Sequence, residues 1–152
     1  MNRPFVFLTV DELCDQELTL RLTHTHQADP QRGFVPSYSF TIVRRADNIP
    51  VGRVNLRIGP VEALRIAGNI GYAIDEPYRG NHYACKACRL LLTLARRHGL
   101  RQLCITCNPD NTASRRTAEE LGARLESISP IPPEHDLYQR GERTACLYVL
   151  DL

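Results

Sequence analysis

With 152 residues, 24% of them charged and a formal net charge of +2, the chain fits one domain spanning 1–152 and carries no field that would select nucleic acid or a membrane surface as a general partner. A domain of this length buries roughly two-thirds of its unfolded surface, so it needs no disulfide staples, and its six cysteines read as reduced, mostly buried thiols. The apolar run after Met1 is too short for a signal peptide and nothing later is long enough to span a bilayer, so a cytoplasmic protein is expected.

In chain order, Thr9 and Glu12 form a capping box, and Val10, Leu13, Leu18, Leu20 and Leu22 carry a mostly helical period, which predicts a first helix from about 10 to 27. After a loop at Pro30 to Gly33, Tyr38, Phe40 and Ile42 alternate, Asp47-Asn48 supplies turn chemistry, and Val51, Val54, Leu56 and Ile58 make a second arm. A hairpin over about 37–45 and 50–58 is predicted. Gly59-Pro60 opens a connection to a strand at 69–75, followed by a long helix at 81–98 that ends at His98-Gly99. Leu103 to Thr106 reads as a short strand, and Asn111 caps a helix at 112–121 that Gly122 stops. A strand near 123–128, a proline-rich surface loop at 129–141 and a final strand at 144–150 complete the chain. This order describes a mixed α+β fold, with helices on both faces of a mixed sheet whose parallel neighbours are crossed over by the helices at 81–98 and 112–121.

The segment Gly68-Asn-Ile-Gly-Tyr-Ala-Ile-Asp-Glu-Pro-Tyr-Arg-Gly-Asn-His-Tyr-Ala84 is the most informative in the chain. A strand ends at Pro77 and feeds a helix whose first N–H groups have no carbonyl partners and lie at the positive end of the macrodipole. Such a junction suits a pyrophosphate.

Within it, Arg79-Gly-Asn-His-Tyr-Ala84 resembles the acyl-CoA pyrophosphate loop of the GNAT N-acetyltransferases, with His82 where that pattern has its middle glycine. The resemblance extends through Leu90-Leu-Leu-Thr-Leu-Ala-Arg-Arg-His-Gly-Leu-Arg-Gln-Leu, through Asn111-Thr-Ala-Ser-Arg-Arg-Thr-Ala-Glu-Glu-Leu-Gly122 and, upstream, through Val51-Gly-Arg-Val-Asn-Leu-Arg57. It covers about residues 36–128. It implies a central sheet splayed between the strands at 69–75 and 102–106, with acetyl-CoA as co-substrate in the opening. Pantetheine would pair with the backbone of Tyr72, Ala73 and Ile74 like an added strand. The pyrophosphate would rest on Arg79, Gly80, Asn81, His82, Tyr83 and Ala84, and Asn111, Ser114 and Arg115 would contact the lower cofactor, with Arg115 and Arg116 near the 3′-phosphate.

Acetyl transfer to an amine needs a deprotonated nucleophile, an oxyanion donor and a proton for the departing thiolate. Where many family members carry a carboxylate and a tyrosine, this chain has Thr106 and Ala118. Tyr72, Asp75 and Tyr148 are therefore the candidate catalytic residues, with Asn69, Glu62, His135 and Tyr138 as further replacements. Acceptor contacts are expected from the first helix and from the 59–68 and 129–141 connections, since specificity resides in variable loops. The acceptor itself, a small amine or a protein N-terminus, leaves no signature, and a homodimer is what the resemblance suggests.

Two other signals compete. Cys85-x-x-Cys88 and Cys104-x-x-Cys107 have a zinc-like spacing, but the first pair lies on the apolar stripe of a helix and the second faces opposite sides of a strand, so no metal is assigned. His24 and His26 sit near the end of the predicted first helix, where i and i+2 do not share a face. A non-catalytic acyl-CoA sensor, motivated by Thr106, Ala118 and His82, is the alternative to an enzyme, and a zinc-stabilised interaction protein is a third reading.

Overall fold

The computed structural model describes residues 3–152; Met1 and Asn2, the start of the stretch read above for a signal peptide, lie outside them. Its elements are β1 (Leu13–Cys14), β2 (Leu18–His26), β3 (Ser37–Arg44), β4 (Ile49–Arg57), β5 (Ile70–Ile74), α1 (Tyr83–Arg97), β6 (Gln102–Cys107), α2 (Thr112–Leu121), β7 (Arg124–Pro130), α3 (Asp136–Gln139) and β8 (Thr144–Asp151). One sheet has the order β1-β2-β3-β4-β5 and the other β6-β8-β7, and every ladder in both is antiparallel. Among the described residues no helix is long and apolar enough to cross a membrane.

The predicted helix at 10–27 is instead the β1–β2 hairpin. Asp15 Oδ1 accepts the N–H groups of Glu17 and Leu18, both at 2.7 Å, and this Asx turn reverses the chain. Beyond it, Leu18-Thr-Leu-Arg-Leu alternates, with Leu18 and Leu20 buried against the core, and the strand continues to His26 past a register shift between Leu22 and His24. Period two with β-branched threonines outweighs the local capping-box signal once β3 offers a partner edge. The same strand places His24 and His26 on one face, with ring centroids 4.6 Å apart, which corrects the helical argument about that pair.

The two sheets meet at Asn69 and then diverge. The Asn69 backbone N–H donates to Cys104 O at 2.8 Å, and the Cys104 N–H donates to Asn69 Oδ1 at 2.8 Å. The carboxamide Nδ2 donates to the carbonyls of Arg57 and Gly59, at 3.1 and 3.0 Å. Asn69 is wholly buried and sits just before β5, so β5 and β6 touch there without forming a ladder. α1 crosses from β5 to β6, whereas α2 leads to β7, which β8 separates from β6. The sheet is thus splayed, and its parallel neighbours do not hydrogen-bond as a ladder.

α1 buries Tyr83, Ala87, Cys88, Leu91, Leu94 and Ala95, a spacing of three and four that covers the five-stranded sheet. α2 is capped by Asn111, whose Oδ1 accepts the Ser114 N–H at 3.1 Å, and ends at left-handed Gly122. The loop expected at 129–141 is shorter than read: β7 runs to Pro130, and His135 Nδ1 caps the single turn of α3.

A second junction closes the far end of α1. The wholly buried Tyr38 accepts the Leu8 N–H at 2.8 Å, and its hydroxyl lies 2.6 Å from His98 Nε2, while Phe5 stacks on the imidazole. Burial holds His98 below the ordinary imidazole pKa and Tyr38 above that of a free phenol, so a neutral ring and a protonated phenol share this hydrogen bond. A depressed folded pKa means that stability is complete above the unfolded value of about 6.5 and is lost as pH falls through the folded one. The melting temperature is therefore expected to drop between pH 7 and about 5, and to drop less in His98→Gln; parallel profiles for the two proteins would remove His98 as the cause.

Candidate active-site cleft

A cleft of about 810 Å³ occupies the divergence of β5 and β6, with the start of α1 at one end and α2 along its side. β5 is hydrogen-bonded to β4 on one edge only, so its other edge turns N–H and C=O groups toward the opening, where the Ile74 carbonyl is taken by Arg79 Nε.

The loop from β5 to α1 is shaped by its own side chains. After a 3-10 turn at Glu76–Tyr78, Arg79 Nε donates to Ile74 O at 2.9 Å and Asn81 Nδ2 donates to Tyr78 O at 3.0 Å. Gly80 and His82 are both left-handed, with φ of 89° and 60°. Left-handed residues beside a helix start turn successive amides into one concavity, and the first turn of α1 adds N–H groups with no intrahelical acceptor. An arrangement of this kind suits an anion, and here it lies at the positive end of a helix of 15 residues. His82 takes its glycine-like conformation while its Nδ1 meets Glu120 Oε2 of α2 at 2.9 Å across the cleft mouth. Both side chains are substantially exposed.

Midway along the cleft, the Tyr72 hydroxyl lies 2.7 Å from Ser114 Oγ, and it also reaches the Ser114 carbonyl at 3.3 Å. Burial raises the Tyr72 pKa, and the contact with Ser114 offsets only part of that rise. The phenol stays protonated across the physiological range.

Of the residues read from the sequence, Tyr72, Ile74, Arg79, Gly80, His82, Tyr83, Ala84, Asn111 and Ser114 line the cleft. The side chains of Ala73 and Asn81 are exposed and outside its lining. Arg115 turns inward, its Nε donating to the Tyr148 hydroxyl at 3.0 Å and one Nη to Pro109 O at 3.4 Å, whereas Arg116 faces the cleft. Tyr148 is buried, donates to Glu119, and does not reach the opening. Asp75 is an exposed residue before the 3-10 turn, Glu62 is exposed, His135 is a helix cap, and Tyr138 stacks under Arg143 at 3.8 Å. None of these four lines the cleft. Thr106 lines it, but its hydroxyl donates to Ile66 O at 2.6 Å, and Ala118 is buried.

The cysteines with zinc-like spacing do not converge: Cys85 and Cys88 are buried under α1, the Cys104 thiol donates to Leu64 O at 3.2 Å, and Cys107 lines the cleft. Among the described residues no three His, Cys, Asp or Glu side chains form a group able to hold a metal.

Arg57, Glu120 and Glu142 line the cleft although the sequence reading assigned them no role. Arg57 ends a strand already quoted for its motif, so its position was legible and its direction was not. Glu142 lies after the 129–141 segment and shares no motif with the other residues.

The family model described as an acetyltransferase (GNAT) domain matches residues 7–124. Among curated proteins no significant match was found. Solved structures similar to this chain include the acetyl transferase of Salmonella typhimurium that modifies the N-terminal serine of the 50S ribosomal subunit protein L7/L12, at 25% identity and a TM-score of 0.59, covering 80% of this chain and 66% of that one. A ribosomal L7/L12 alpha-N-protein acetyltransferase, RimL, in complex with coenzyme A, aligns at 19% identity with a TM-score of 0.68, over 93% of this chain and 98% of that one. The microcin C7 self-immunity acetyltransferase MccE, in complex with acetyl-CoA and AMP, aligns at 19% identity with a TM-score of 0.61, over 76% and 61% of the two chains.

Proposed function

Because the chain belongs to the GNAT acetyltransferase family, we propose that it is an N-acetyltransferase that transfers the acetyl group of acetyl-CoA to a primary amine by direct attack in a ternary complex. The observation that carries this reading is one cleft that holds both a helix start suited to an anion and a part-buried pair of hydroxyls, Tyr72 of β5 and Ser114 of α2.

Acetyl-CoA, when bound, supplies an activated thioester carbonyl. The amides from Gly80 to Ala84 suit its diphosphate, and Arg79 and Arg116 add positive charge at that end. The unpaired edge of β5 over Tyr72, Ala73 and Ile74 offers pantetheine a strand to pair with and offers the carbonyl an N–H donor for its developing charge. Ser114 Oγ is the group we assign to protonate the departing thiolate, the Tyr72 hydroxyl passing its own proton to Oγ in the same step and being reprotonated from solvent. Glu142 is the carboxylate we assign to draw in the ammonium form of the acceptor and receive its proton. The six free cysteines support a reducing, cytoplasmic setting.

Calorimetric titration of acetyl-CoA and of CoA, followed by thiol release with an amine panel, tests the reading. Micromolar binding with amine-dependent release is expected. Binding without release on any amine would favour the acyl-CoA sensor, the reading suggested by Thr106 and Ala118, neither of which offers a free acid or base. Loss of Ser114 separates the two further. Positioned proton transfer contributes on the order of 10²–10⁴ in rate, so Ser114→Ala is expected to lower kcat about 100-fold while acetyl-CoA affinity stays within a few-fold. An unchanged kcat would return the proton to solvent.

A further inference from the structure

Arg57 ends β4 with its side chain half-buried at the edge of the cleft. Both of its side-chain hydrogen bonds come from one nitrogen: Nη1 donates to Ala67 O at 3.3 Å and to Gly68 O at 3.2 Å. A guanidinium has five N–H donors, so the Nε and Nη2 edge, the side that grips a carboxylate with two parallel bonds, is left without a protein partner. Among the described residues Arg57 takes part in no ion pair; the arginine and lysine side chains that do are Arg44, Lys86 and Arg124. Burial lowers its pKa, as it does for a cation that has lost water without gaining a counter-charge. Gly71 lies beside it in β5, where a Cβ would stand 2.6 Å from Asn55 Oδ1 and 3.6 Å from Arg57 Nη1, so glycine is what lets these two side chains lie over the strand.

Position decides which ligand this edge serves. Leu56 pairs with Ile70, so Arg57 lies at the beginning of β5, whereas the Arg79–Ala84 loop follows its end. The strand between them spans about 13 Å at about 3.3 Å per residue. The diphosphate is held at the far end, and pantetheine and acetyl are uncharged, so the cofactor brings no anion to Arg57. Glu142 lines the same cleft and offers the opposite charge.

We propose that Arg57 determines acceptor specificity, binding a carboxylate of the acceptor with its Nε and Nη2 edge while Glu142 receives the amine; the substrates are then amines that carry a carboxylate close by. This rests on the acetyltransferase reading of the cleft. The shared chemistry has two sources, the main-chain carboxylate of a free amino acid and an acidic side chain near the N-terminus of a peptide.

The test uses the whole protein and matched acceptors: alanine against alaninamide, and the dipeptide amide Ser-Asp against Ser-Asn. The ratio of kcat/KM within each pair is measured for the wild type, Arg57→Gln and Arg57→Lys, together with calorimetric binding of the corresponding N-acetylated products to the CoA-loaded protein. At least a tenfold preference for the carboxylate in one pair is expected, falling to near unity in Arg57→Gln and partly restored in Arg57→Lys. Preference in the first pair identifies free amino acids, and preference in the second identifies peptide N-termini. Equal ratios in both pairs for the wild type, or an Arg57→Gln variant that loses rate on all acceptors alike and so only clamps the turn at Ala67 and Gly68, would overturn the proposal. Product binding that keeps the preference while no amine is turned over would instead overturn the enzymatic reading and leave Arg57 as an anion seat.

Discussion

Replacing Asn69 by alanine is expected to lower the unfolding free energy by about 3–5 kcal/mol, because each buried donor or acceptor left unpaired costs roughly 1–3 kcal/mol. The carboxamide accepts the Cys104 N–H and donates to the Arg57 and Gly59 carbonyls, and all of these contacts lie at the junction of the two sheets. Alanine keeps the main-chain bonds to Cys104 O and from the Arg57 N–H, and removes these three side-chain bonds together with the one the Cys104 thiol donates to Oδ1 at 3.3 Å. Denaturant unfolding measures the loss. A drop below about 1 kcal/mol would show that water replaces the side chain and that the junction is held by the backbone alone. The same substitution is expected to weaken acetyl-CoA binding, because this residue joins β5 to β6 at the point beyond which they diverge. A stability loss with unchanged affinity would separate the two roles.

Gly80→Glu is expected to weaken acetyl-CoA binding about 100-fold, which is about 2.8 kcal/mol at tenfold per 1.4 kcal/mol. Two costs add. Gly80 has φ of 89°, where an L side chain is strained whatever space surrounds it, and no atom lies within 4 Å of the position a Cβ would take. The penalty is thus conformational rather than a clash, on the order of 1–2 kcal/mol, and it falls on binding because the free loop relaxes out of the left-handed conformation that the cofactor must then restore. The second cost is a carboxylate set beside a diphosphate at a helix start, where negative charge is already to be concentrated. Gly80→Ala isolates the first cost, and calorimetry at two salt concentrations isolates the second, since only the charge repulsion is screened. Equal affinity for Gly80→Glu and the wild type would remove the Arg79–Ala84 loop from the cofactor site.

His82 connects these residues to the mouth of the cleft. It takes a left-handed conformation without being glycine, and its ring pairs with Glu120 rather than projecting into solvent alone. The sequence comparison with the loop pattern made His82 a departure. The pairing with Glu120 was invisible there, because 38 residues separate the partners and only the packing of α2 beside α1 brings them together.

Much of the fold was legible where the signal was local. The hairpin of β3 and β4, α1 with its His98-Gly99 end, and α2 between Asn111 and Gly122 follow from alternation, three-and-four spacing and caps, each set by residues within a few positions. The first helix failed because two local signals disagreed. A capping box at Thr9 and Glu12 competed with the alternation from Leu18 to Leu22, and pairing with β3 chose the second. For the site, the loop at Arg79–Ala84 and the cap at Asn111 were readable as motifs, whereas Asp75 and Tyr148 were plausible by residue type and lie away from the cleft. Side-chain chemistry alone carries no direction.

What the sequence by itself determined is therefore the set of elements with strong local periodicity and the helix start poised for a phosphate, since backbone propensity, capping and turn chemistry act over a handful of residues. Only the tertiary structure decided that Tyr72 meets Ser114 across 42 positions, that Arg115 is tied to Tyr148 while Arg116 faces the cleft, and that Arg57 and Glu142 face one opening. Those juxtapositions depend on how β5 diverges from β6 beyond the point where one buried asparagine joins them, through a bond to a residue 35 positions away.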